Sequence, residues 1–91
     1  MAADVWVLEQ AWLKAETIVD RTRSEALRAS ERLDDTREKA AHGSSKEIVV
    51  LLTKVKTTVE TLRARHEAAE RQANDLFDRL LEAKAQGGAH V

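Results

Sequence analysis

Ala41-His42-Gly43-Ser44-Ser45-Lys46-Glu47 is the one break in a sequence that otherwise reads as continuous helix. Gly43 is the only glycine before Gly87, and it suits the left-handed residue that closes a helix. Ser44 follows at once, and Glu47 lies three residues beyond it. That spacing makes a capping box: the serine oxygen accepts an N–H of the new helix, and the glutamate reaches back to the cap residue's N–H. A stop signal fused to a start signal predicts an αα-hairpin.

The segments on either side carry the matching pattern. Before the break, small or apolar residues recur at Val5, Leu8, Trp12, Ala15, Val19, Thr22, Ala26, Ala29, Leu33, Thr36 and Ala40, alternating steps of three and four. After it the same steps run through Ile48, Leu52, Val55, Val59, Leu62, His66, Ala69, Ala73, Leu76, Leu80 and Ala83. Each is a heptad seam with core positions a and d. The two seams are out of phase as one continuous helix, since the first would place Gly43 and Glu47 on the core stripe. Folding back restores the phase. When facing residues are those whose numbers add to 88, every seam position meets a seam position, from Ala40 opposite Ile48 to Val5 opposite Ala83. Bulk then faces smallness at Ala26/Leu62, Ala29/Val59 and Val19/Ala69, as interdigitated packing requires.

The expected fold is all-α: an antiparallel two-helix coiled-coil hairpin over residues 1–91, expected to assemble into a four-helix bundle. The first helix is expected over 4–42 with Asp4 as its N-cap, the turn over 43–45, and the second helix over 46–86. The tail 87–91, opening with Gly87-Gly88, is expected to fray.

Composition narrows the function. Hydrophobic residues make up 43% of the 91 residues and charged residues 34%, with no proline and no cysteine. Proline-free, Ala/Leu/Glu/Arg-rich composition favours long helices. Without cysteine there is no disulfide, thiolate nucleophile or thiolate metal site. The net charge of −1 supplies no field that would draw the chain to nucleic acid or an anionic surface, and no aromatic residue interleaves its arginines. The longest apolar run, Ile48 to Leu52, is too short to span a bilayer, and Met1-Ala2-Ala3-Asp4 lacks the basic opening of a secretory signal. A cytoplasmic protein, with export lacking a cleavable signal as the alternative, is the expectation.

Catalytic chemistry finds no foothold. The carboxylates lie along solvated helix faces, and no glycine loop or nucleophile–base pair is present. His66 falls in the core stripe opposite Thr22, where a hydrogen bond to the threonine hydroxyl would satisfy it; the same position suits a pH switch. Four residues after each histidine, a second ligand stands only at Glu70, after His66, which is weak as a metal site. The expectation is a protein that is not an enzyme and holds no cofactor, no metal and no small-molecule substrate.

What remains is binding. Two seams alone make a thin core, open on both flanks. Large apolar residues off the seam cluster on one flank: Trp6 and Leu13 at b, Phe77 at e and Leu81 at b, with Leu27 and Val49 extending that flank toward the turn. Ile18, Ala11 and Leu51 lie on the other. The e-side charges place Glu16 opposite Glu70 and Arg23 opposite Arg63, like facing like, which a second body could relieve. Trp6, Leu13, Phe77, Leu81, Leu27 and Val49 are therefore the expected partner-binding residues, toward a homodimer or a heteromeric helical partner.

A helical hairpin of this length without a signal peptide also resembles the WXG100 family of type VII secretion. That family's turn carries Trp-x-Gly, and a Tyr-x-x-x-Asp/Glu signal follows its second helix. Here the turn reads His42-Gly43-Ser44, the glycine present and the tryptophan absent, and the chain has no tyrosine. Phe77 and Leu81 have the spacing of the second motif but not its acid. The resemblance implies, as the alternative function, a small secreted protein or secretion partner.

Overall fold

The computed structural model describes residues 2–43 and 45–88, with side chains over 5–43 and 45–87. They form an all-α helical hairpin of two long helices packed against each other. Helix α1 runs over Ala2–His42 and helix α2 over Lys46–Gly88, 41 and 43 residues respectively.

The helix ends differ from expectation in three places. Helix α1 begins two residues before Asp4, because Ala2 and Ala3 are strong helix formers and nothing in the sequence stops them from joining. Asp4 then lies in the first turn, and its expected capping role falls outside the described side chains. Helix α2 continues through Gly87 and Gly88, where fraying was expected. Glycine weakens a helix by about 1 kcal/mol per residue relative to alanine but does not end it unless a competing turn forms. The rest of the expected frayed tail, 89–91, lies outside the described residues.

The third difference is the turn chemistry. The capping box expected at Ser44 lies outside the described residues, and the cap position is filled by Ser45. Its Oγ accepts the N–H of Ile48 at 3.2 Å, and its carbonyl accepts the N–H of Val49 at 3.1 Å. Those bonds set Lys46 as the first helical residue and Glu47 as the second. From there Glu47, in the first turn, complements the positive end of the helix dipole. Gly43 is not left-handed, and a Cβ added to it would meet nothing within 4 Å. The glycine therefore relieves no strain, and the cap of α2 is set by Ser45.

The contacts divide into two compact units, one comprising Met1–Asp20 with Glu67–Val91 and the other Arg21–His66. In the first, Ala15, Val19, Ala69 and Ala73 form a buried cluster with Leu76 packed against it, and Leu80 is buried too. Alanine facing alanine brings the helix backbones close, so little side-chain volume is needed to exclude water. In the turn-bearing unit, Leu33, Val55 and Val59 form the buried cluster, with Ala29 and Leu52 packed against it. Thr36 is buried among these layers, its hydroxyl donating to the Arg32 carbonyl at 2.8 Å. The layers in both units are those of the expected register.

Among the described side chains of α2, every shielded residue is a seam residue, and every seam residue is shielded. This matters because the start of α2 is poor helix material: Ile48, Val49, Val50, Thr53, Val55, Thr57, Thr58, Val59 and Thr61 are all β-branched. Its exposed threonines return their hydroxyls to the carbonyl four residues back, at 3.0–3.1 Å. Tertiary burial of Val55 and Val59, worth about 1.5–3 kcal/mol per side chain, offsets the deficit in propensity.

Candidate interaction surface

Trp6 and Leu13 lie two turns apart on α1, and Phe77 and Leu81 one turn apart on α2. All four belong to the termini-bearing unit and leave large apolar area in solvent, Trp6 most of all at 63% exposed. They are not equivalent. The ring of Phe77 lies 5.4 Å from that of Trp12, centroid to centroid and tilted by 40°. Tilted pairs at this distance are attractive beyond the area they bury. Phe77, at 40% exposed, therefore flanks the hairpin's own core as well as facing outward. The seam register places Leu76 opposite Trp12, since their numbers add to 88. The adjoining e position lies close enough for a large ring to lean across, which a seam count does not register.

Leu27 and Val49 are exposed in the turn-bearing unit. The same holds for Val50 and Leu51, which with Lys46, Glu47 and Lys54 line a shallow hollow of about 380 Å³. Ile18 and Val7 are exposed in the termini-bearing unit, whereas Ala11 is half-buried. Val7 and Val50 lie at c and f, outside the flank assignment made from sequence. Their signal was an apolar residue on a face that heptad logic leaves to solvent.

Polar groups along the e flank settle differently from the like-with-like expectation. Arg63 does not stay facing Arg23; its guanidinium donates to Ser30 Oγ at 3.3 Å, two turns along α1 from Arg23. Arg23 and Glu70 both take part in polar interactions of their own. The length of the arginine side chain allows this choice, and reaching toward Ser30 avoids the unfavourable pair. The Arg63–Ser30 bond also shows that the e positions of the two helices adjoin. His66 meets Thr22 as expected, with Nδ1 and Oγ1 3.0 Å apart.

Among the described residues no group of three or more metal-ligating side chains is gathered, and no helix is long and apolar enough to cross a membrane. Asp75 and Arg79 form an exposed ion pair within α2 at 3.2 Å, of the kind that contributes a few tenths of a kcal/mol. Comparison with models of known protein families, with curated proteins and with solved structures finds no match.

Proposed function

We propose that this hairpin is a non-catalytic assembly module that associates with a second copy of itself to give a four-helix coiled-coil bundle. The observation that supports this reading is the exposure of Trp6, 63%, together with that of Leu13 and Leu81 at b positions of the same flank, on a protein whose core is only two helices thick. A large aromatic side chain left in water on a flank that also exposes two leucines marks a contact surface more often than it marks idle surface. A second hairpin supplies the missing layer: seam and flank together then give each helix the wider apolar stripe of a bundle helix.

The test must spare the hairpin itself. Phe77 is a poor choice for substitution because its ring also packs on Trp12. Trp6→Gln with Leu13→Gln removes exposed apolar surface and no buried seam residue. Light scattering coupled to size exclusion should show a dimeric parent at high micromolar concentration and a monomeric variant of unchanged helicity. Aromatic anchors contribute about 2 kcal/mol or more each, so the dissociation constant should rise at least tenfold. A parent that is monomeric at high micromolar concentration refutes self-association.

A further inference from the structure

The charges on the e/b flank sort by unit. In the termini-bearing unit, Glu9, Glu16, Asp20, Glu67 and Glu70 stand against Lys84 alone, around the apolar Trp6, Leu13 and Leu81. In the turn-bearing unit the sign reverses: Arg23, Arg37, Lys46, Lys56 and Arg63 stand against Asp34 and Glu60, around the apolar Leu27 and Val49. Local ion pairs and hydrogen bonds, such as that of Arg63 to Ser30, leave the net sign of each patch unchanged. Each patch therefore has exposed apolar residues with a collar of charge, and the two collars are opposite.

We infer that self-association joins unlike patches: the acidic, Trp6-bearing patch of one copy seats on the basic, Leu27/Val49-bearing patch of another. This rests on the self-association proposed above and specifies its geometry. Pairing acidic patch with acidic patch would bring Glu9, Glu16 and Glu67 against their own copies as water is removed, and like charges across an interface are strongly disfavoured. Pairing unlike patches matches each carboxylate collar with a guanidinium or ammonium collar and each apolar centre with another. The complementarity supplies register, which apolar contact alone does not provide.

Two charge-reversed chains test it. Arg37→Glu with Lys56→Glu turns the basic patch acidic and leaves the Arg63–Ser30 bond in place. Glu9→Lys with Glu16→Lys and Glu67→Lys turns the acidic patch basic. In sedimentation equilibrium each variant alone should associate at least tenfold more weakly than the parent, and an equimolar mixture should recover association. Parent association should also weaken severalfold between about 0.05 and 0.5 M salt, a range over which the screening length falls about threefold. A parent that associates while the Arg37/Lys56 variant associates equally well overturns unlike pairing and leaves self-association standing. A monomeric parent overturns both. Should reversal disturb helicity, Arg37→Gln with Lys56→Gln must move association the same way by a smaller factor, and no movement overturns the inference.

Discussion

Val59→Ala probes the register where the hairpin is most tightly closed. Val59 is 2% exposed, the largest side chain buried to that degree among the described residues, and it packs in the cluster of Leu33 and Val55 with Ala29 alongside. Truncation removes two methyl groups, worth about 1.6 kcal/mol at roughly 0.8 each. The residue it faces in the register, Ala29, is already small and cannot fill the space. A residual void of about 30–50 Å³, at about 24 cal/mol per Å³, adds roughly 1 kcal/mol. The expected loss is therefore about 2–3 kcal/mol, or roughly 10–20 °C in Tm for a domain of this size. The control is Val50→Ala, the same chemical change at a residue 48% exposed, expected to stay within about 0.5 kcal/mol of the parent and to gain slightly in helix propensity. Circular-dichroism melts at one fixed protein concentration compare the three chains, since association would otherwise shift Tm. Equal losses at Val59 and Val50, or none at either, would refute the packing assigned to α2.

Two threonines at seam positions should respond in opposite directions. Thr22→Val deletes the hydroxyl bonded to His66 and should cost about 1–2 kcal/mol, whereas Thr36→Val should be neutral or stabilising by up to about 1 kcal/mol, because the Arg32 carbonyl keeps its backbone partner when the hydroxyl goes; urea titrations of both variants check the difference. At the turn, Ser45→Ala removes the cap bond to Ile48 and should cost about 1 kcal/mol. Gly43→Ala, free of strain and of neighbours, should instead gain about 0.4–1 kcal/mol, and a measured loss larger than that would show that Gly43 needs backbone freedom after all.

The candidate surface was partly legible in sequence. Trp6, Leu13, Leu81, Leu27 and Val49 are exposed, as their off-seam positions implied, because a heptad position states which way a residue faces relative to the axis. Phe77 shares its position class with Val49, yet its ring is long enough to turn back onto Trp12. Arg63 likewise reaches past its nominal opposite number to Ser30. Position assigns a face to the Cβ, but the far end of a long side chain is settled by rotamer and neighbours.

The fold itself was determined by repetition. Burial of a stripe that recurs every three or four residues accumulates along a helix of more than 40 residues, so an error at one position cannot shift the register. Hence the Thr22–His66 bond, the Ala15/Ala73 contact and the Leu33–Val55–Val59 cluster all fall on the layers read from the sequence. The single events were decided only in three dimensions. Ser45 caps α2, Gly43 needs no left-handed backbone, and Gly87 and Gly88 stay helical. Each such choice separates alternatives one residue apart by about 1 kcal/mol or less, with no repeat to multiply the difference. Local signals of that size propose several solutions, and the closing of the two helices on each other selects among them.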